Sequence, residues 1–182
     1  MKKILISVRP KWCEKIASGK KTIEVRKTAP KEVPFKAYIY CSKEKKQDDI
    51  IWAGAFGDRG KWNEHVIGEF ICDKVERFSV GSLRSDDVEK LACLSYYEMI
   101  CYFYKPEELD GKTAKQGFAW HISDLKIYDK PKELGEFCIP CKTNCEDCKK
   151  PLFYDCWKEK GKIKVVTRPP QSYMRVEELK EV

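Results

Sequence analysis

Lys21, Glu24 and Arg26 stand three and then two residues apart in the stretch SGKKTIEVRK, residues 18–27. On an extended strand Glu24 and Arg26 share a face, while Ile23 and Val25 take the other. An amine, a carboxylate and a guanidinium so placed have three uses. They can pair into a structural ion network that offsets the cost of burying charge. The cations can hold a phosphate while Glu24 accepts from a base amino group. Lys21 and Glu24 can also serve as catalytic groups, with Lys21 as acid or base if burial lowers its pKa. Arg9, Lys11 and Trp12 come just before this stretch, and Arg9 ends an apolar run that can lie beside it. Trp12 suits either a core position or a platform on which an unpaired base stacks. Arg168, in TRPPQSY near the end of the chain, can extend the same positive surface. The nucleic-acid set is therefore Arg9, Lys11, Trp12, Lys21, Glu24, Arg26 and Arg168.

A second group has ligand chemistry. CIPCKTNCEDC places Cys138, Cys141, Cys145 and Cys148 at C-x2-C-x3-C-x2-C spacing. Four thiolates are the number that a structural, tetrahedral zinc takes, and they leave no position open for water. Lys142, Lys149 and Lys150 offset their charge, and a metal would order a segment with few apolar residues. Three residues between the pairs is tight, so Cys156 is an alternative ligand. An iron–sulfur cluster and unligated thiols are the other readings. Cys13, Cys41, Cys72, Cys93 and Cys101 fall in apolar or helical contexts and read as core. His121 alternates with Phe118, Trp120 and Ile122 and can face a cleft, but it reads first as a structural histidine. No Ser-His-Asp or Cys-His order stands out.

The elements that must position these residues follow from periodicity. KILISV is a strand over 3–8, and RP then opens a short helix with Trp12, Cys13, Ile16 and Ala17 on one face. Gly19 suits the left-handed position that closes it. KTIEVR alternates as a strand, and KAYIYC is the next, over 36–41. VIGEFICDKVERF reads as one strand over 66–78, long enough to bend or bulge. SDDVEKLACLSYYEMICYFY is helical. Ser85 or Asp86 can cap it, and Ser95 with Glu98 forms a second capping box, which splits it in two. GFAWHISDLKIYDKP and KIKVVTRPP read as later strands. Strand–helix alternation is too short for a doubly wound sheet. The expectation is α+β: a small mixed β-barrel with flanking helices over residues 1–135, and a cysteine-rich, zinc-binding extension with a tail packed on the barrel over 136–182.

The chain has 182 residues and formal net charge +7. Residues 1–40 carry 11 Lys/Arg against 3 Asp/Glu, residues 41–137 carry 15 against 19, and residues 138–182 carry 10 against 7. Two basic ends around an acidic middle can share one positive surface, which favours polyanions. Twenty-two aromatic residues argue for a folded core and supply stacking groups. MKKILISV is too short an apolar run for a signal peptide, and no stretch is long enough to span a membrane. Ten cysteines in a chain of that kind point to thiols and metal ligands in the cytoplasm.

SVRPKWCEKIASGKKTIEVRK resembles the ASCH-domain proteins of the PUA-like superfamily, in which a strand and a short helix precede G-x-K-x-x-E-x-R. Here those positions are Gly19, Lys21, Glu24 and Arg26. The resemblance continues through KAYIYCS, VIGEFICDKVERF and GFAWHISDLKIYDKPKEL, covering about residues 3–134. RPPQSYMRVEEL resembles a tail of some prophage-type members. The resemblance implies a small barrel, a cleft lined by the motif's polar residues, and binding of RNA or a nucleotide; Trp12 as a stacking platform favours a single strand over a duplex. Some small members hydrolyse N4-acetylcytidine with a lysine, a threonine and a glutamate. Lys21 matches the lysine, their threonine falls at Glu24, and the glutamate corresponds to Glu89 or Glu98. The expected function is thus an RNA- or nucleotide-binding module. The alternatives are a hydrolase of a modified nucleoside or of RNA, and a protein-interaction module.

Overall fold

Ile4, Ile6 and Val8 alternate with Leu5 along the first strand, and all four are buried. A strand buried on both faces must run through the middle of the protein. The computed structural model describes residues 1–43, 62–80, 85–108, 114–140 and 164–179. In chain order its elements are β1 (Lys2–Val8), α1 (Pro10–Ala17), β2 (Ile23–Arg26), β3 (Phe35–Cys41), β4 (Val66–Cys72), β5 (Val75–Ser79), α2 (Ser85–Ala92), α3 (Tyr96–Phe103), β6 (Gln116–His121), β7 (Ser123–Lys132), β8 (Phe137–Ile139), β9 (Lys164–Val165), β10 (Tyr173–Arg175) and β11 (Glu177–Glu178).

The central sheet has the order β10-β1-β3-β4-β7. β1 and β3 are parallel, and α1 with β2 provides the crossover that parallel neighbours require. One face of this sheet presents Ile4, Ile6, Val8, Phe35, Ala37, Ile39 and Cys41 to α1 and Trp120. The other face presents Leu5, Tyr38, Tyr40 and Val66 to Phe137, Val166 and Val176. A second sheet, β2-β6-β5, packs Ile23, Val25, Phe78 and Ala119 against α2 and α3. β8, β9 and β11 make a third.

These sheets are mostly antiparallel and mixed with few helices, as expected for α+β, but the described strands do not close into a barrel. The chain instead changes sheets at two bends. The segment 66–78 is two strands, not one. Asp73 and Lys74 interrupt it, so that β4 stays in the central sheet and β5 enters the second. GFAWHISDLKIYDKP divides likewise at Ile122, whose N–H leaves the ladder to bond the Thr22 carbonyl (2.9 Å). Gly68 is required where β4 pairs with β7: a Cβ there would run into the Lys126 carbonyl and the Ile127 side chain.

The Ser95–Glu98 capping box is present in both directions and separates α2 from α3. The tail is not an appendage: β10 extends the central sheet on β1 and β11 pairs with β8. β8 pairs with β9 in the third sheet, Cys138 opposite Val165 and Ile139 opposite Lys164. Among the described residues no helix is long and apolar enough to cross a membrane.

Candidate functional site

β2 puts its motif residues where the second sheet meets α1. Gly19 takes φ +70°, a left-handed conformation that glycine adopts at no steric cost. Its N–H closes α1 on the Ile16 carbonyl (2.9 Å), and Lys21 N–H returns to the Lys15 carbonyl (2.8 Å). The chain is thereby folded back so that Lys21 points under α1. Glu24 is in register with Trp120, and Arg26 with Phe118, so all four share the face turned toward the central sheet. Ile23 and Val25 face α2 and α3, as alternation predicts.

Lys21, Glu24 and Arg26 are 3, 7 and 5% exposed. Lys21 Nζ lies 3.3 Å from Glu24 Oε2 and donates to the Ala92 carbonyl at 3.0 Å. Arg26 Nε is 2.9 Å from Glu24 Oε1, though it is misaligned for a hydrogen bond and left without one. The rest of the guanidinium donates to the Ser7 carbonyl (2.7 Å) and the Ser172 carbonyl (3.2 Å). Arg26 thus ties β2 to β1 and to the tail across a gap that no backbone ladder spans. The cluster carries two positive charges against one negative, a net +1 in a low-dielectric setting. Charges this buried hold their geometry only because each has a partner. Cys13 lies beneath them; burial, the neighbouring Cys41 and the Glu24 charge push its thiol well above the usual range.

Trp12 forms the outward side. It packs on the core around Trp120 yet remains half-buried. Three ammonium groups surround its ring: Lys11 at 4.6 Å, Lys15 at 4.8 Å and Lys21 at 5.5 Å from the centroid. Cations near an indole face gain from the ring quadrupole. Lys11 Nζ also meets Glu98 Oε1 of α3 at 2.5 Å, which links α1 to α3. Tyr102 of α3 lies near Arg26 and Glu24. Burial is the main cause that raises its phenol, against the pull of Arg26. Lys27 Nζ is 5.2 Å from the Tyr102 ring. Opposite, Ser7 Oγ donates to the Pro170 carbonyl (2.7 Å), which brings the tail to the end of β1. Arg168, two residues earlier, is exposed, as is Arg9.

The structure therefore gathers Lys11, Trp12, Lys21, Glu24 and Arg26 around the α1–β2 junction, while Arg9, just before α1, and Arg168, two residues before Pro170, are exposed. It divides them into two layers: buried Lys21, Glu24 and Arg26, and accessible Arg9, Lys11, Trp12 and Arg168. Glu98 and Tyr102 belong to the same neighbourhood. Two signals pointed at Glu98, its capping box and its match, with Glu89, to the glutamate of the resembled hydrolases, whereas nothing in the sequence marked Tyr102. Glu89 lies on α2, with its Oε1 buried and unbonded. His121 does not face the cluster. It shares the Ile23 face and sits 3.5 Å from Glu76. Cys13, Cys41 and Cys72 are core, as read, whereas Cys93 is half-buried and Cys101 is exposed.

Of the four expected zinc ligands, Cys138 is buried on β8. Cys141, Cys145, Cys148 and the alternative Cys156 lie outside the described residues. Among the described residues no group of three His, Cys, Asp or Glu side chains is placed to hold a metal.

The sequence matches no family model and no curated protein. Its fold matches solved structures of an ASCH protein from Zymomonas mobilis. A tyrosine-to-phenylalanine variant gives a TM-score of 0.55 at 18% identity, over 97% of this chain and 91% of that one. A serine-to-alanine variant gives 0.55 at 18%, over 97% and 89%. The protein described as ASCH alone gives 0.52 at 19%, over 97% and 88%. The fold expected from the motif is thereby shown: this chain has the fold of those ASCH structures.

Proposed function

On an ASCH-type fold with this junction, we propose that the protein binds single-stranded RNA or a nucleotide derived from it, with Trp12 as the base platform. The observation that carries the proposal is the ring of Lys11, Lys15 and Lys21 ammonium groups around a half-buried indole. A base laid on the accessible part of Trp12 gains stacking energy without reference to sequence. Lys11 and Lys15, on flexible stems, then turn from the ring to the attached phosphates. Arg9 and Arg168 extend the phosphate track on either side. Lys21, Glu24 and Arg26 act from below: they fix α1 and the tail, and their net positive charge favours an anion above them.

The hydrolase alternative has less support. Lys21 directs its ammonium at the Ala92 carbonyl, Glu24 and the Trp12 ring, and Glu24 is spent on two cations. Zinc on the cysteine run rests on its spacing alone.

Titration of short oligouridine into the intact protein, read by Trp fluorescence and by anisotropy, tests the proposal. Trp12→Ala is expected to weaken binding by about 1–3 kcal/mol, the contribution of one stacked base. Lys11→Ala and Lys15→Ala should each lower the salt dependence by about one ion. Affinity that is independent of salt and indifferent to Trp12→Ala would dismiss the site.

A further inference from the structure

Phe118 of β6 stands between two arginines. It is in register with Arg26 of β2 on one side and with Arg77 of β5 on the other. Cross-strand partners project from the same face of a sheet. Phe78 and Ala119 alternate with Arg77 and Phe118 and are buried against α2 and α3, so the two arginines and the ring take the opposite face. Along β6 that face opens outward: Trp120 is buried, Phe118 is half-buried and Gln116 is exposed.

Arg77 lies over the ring. Its guanidinium carbon is 5.5 Å from the Phe118 centroid, and the residue is exposed. A guanidinium so placed gains from the ring quadrupole, and its planar fork is held while its donors stay in water. Among the described residues no carboxylate pairs with it. The adjacent Glu76 projects from the other face, where it meets Lys74 and His121. Arg26, across the ring, is the reverse case. It is buried, and its guanidinium is engaged by Glu24 and by the Ser7 and Ser172 carbonyls. The two Cα atoms are two strand spacings apart, about 10 Å. A solvated arginine is ordinary. This one is oriented by a ring beside a buried cluster of net positive charge. A continuous set of contacts joins it to Trp12: Trp12 to Lys21 (5.5 Å), Lys21 to Glu24 (3.3 Å), Glu24 to Arg26 (2.9 Å), then across the ladder to Phe118.

We infer that Arg77 is a phosphate contact of the RNA site, that Phe118 is the residue that positions it, and that the ligand is therefore a strand longer than the nucleotide on Trp12. This rests on the RNA-binding reading above and deepens it. Two parallel N–H donors match the oxygens of a phosphodiester, and the ring fixes the plane in which they lie.

The test compares an oligouridine of about eight nucleotides, within the span of such surfaces, with uridine monophosphate, each titrated into the intact protein across a salt series. One phosphate contact to a single strand contributes about 0.7 to the magnitude of the slope of log K against log salt, or about fivefold in affinity at about 0.1 M salt. Arg77→Ala is expected to lose both with the oligouridine and to leave the mononucleotide unchanged. Phe118→Leu stays apolar but removes the ring. It should lose about as much, and Arg77→Ala should then add little to it. Phe118→Tyr, which keeps the ring, should bind as the unchanged protein does. A Phe118→Leu protein with a lower melting temperature but an unaltered salt slope would overturn the positioning role. Equal losses for oligouridine and mononucleotide would put Arg77 on the Trp12 nucleotide and overturn the longer strand. If Trp12→Ala weakens the oligouridine while Arg77→Ala changes neither affinity nor slope, the RNA reading stands and this inference falls. If the intact protein does not bind the oligouridine, both fall.

Discussion

Replacing Glu24 by glutamine tests whether the buried cluster holds the molecule together. The change is nearly isosteric, so packing is kept and only the charge is lost. Lys21 and Arg26, at 3 and 5% exposure, would keep their charges without the carboxylate that stands 3.3 and 2.9 Å away. Removing one partner of a buried ion pair costs about 3–5 kcal/mol. The glutamine oxygen still accepts from one cation, which places the expectation near the lower end, about 3 kcal/mol. In a chain of 182 residues, about 2–4 °C per kcal/mol makes this a fall of roughly 6–12 °C in melting temperature. Urea unfolding followed by Trp fluorescence, at constant m-value, measures it. Adding Lys21→Met to Glu24→Gln should recover part of the loss, because one stranded cation is then gone. A loss below about 1 kcal/mol, the range of exposed pairs, would show that water screens the cluster and would refute the account of Arg26 as a tie between β2, β1 and the tail.

Other outcomes follow from particular groups. Gly68→Ala should destabilise the central sheet, because the added methyl meets the Lys126 backbone rather than a movable side chain; a melting temperature equal to that of the unchanged protein would disprove it. Burial, helped by the charges of Glu69 and Glu177, pushes the Tyr38 phenol up to about 12. Its contribution is complete below the unfolded phenol's pKa of about 10 and is lost as pH rises toward 12. The urea midpoint should fall across that window, and fall less in Tyr38→Phe. Glu69 behaves oppositely: burial raises its carboxyl, but hydrogen bonds from Lys36 and Tyr128 outweigh this and hold it low. Its contribution is present above the unfolded carboxyl's pKa and is lost as pH falls through the lower folded value, so Lys36→Met should start acid unfolding at a higher pH. Elemental analysis of anaerobically purified protein should find about one zinc per chain, as four thiolate ligands require. A metal-free protein, or one whose metal survives Cys141→Ser with Cys148→Ser, would end the zinc proposal.

The strands nearest the site were legible because they obey a period of two. Ile23 and Val25 alternate with Glu24 and Arg26, and the structure keeps that alternation to the residue. Ser95 and Glu98 marked a helix boundary through a local capping pattern that needs no tertiary context. The long strand over 66–78 misled because nothing in the run of apolar residues records a change of sheet. Asp73 and Lys74 look like ordinary polar positions until β4 and β5 are seen pairing with different partners. Tyr102 escaped notice because helical spacing alone cannot distinguish a surface tyrosine from one drawn against β2.

The sequence by itself determined which residues could meet. Gly19 permits the reversal after α1, and strict alternation puts Glu24 and Arg26 on one face. These are consequences of backbone stereochemistry, which acts over a few residues. Only the tertiary structure decided which of them are buried. It buried Lys21, Glu24 and Arg26 and left Trp12 with its lysines outside. It gave Arg26 hydrogen bonds to the Ser7 and Ser172 carbonyls, which brace the second sheet against β1 and the tail. That division depends on how much water each charge keeps, and desolvation is set by elements as distant along the chain as Ser7, Ala92 and Ser172.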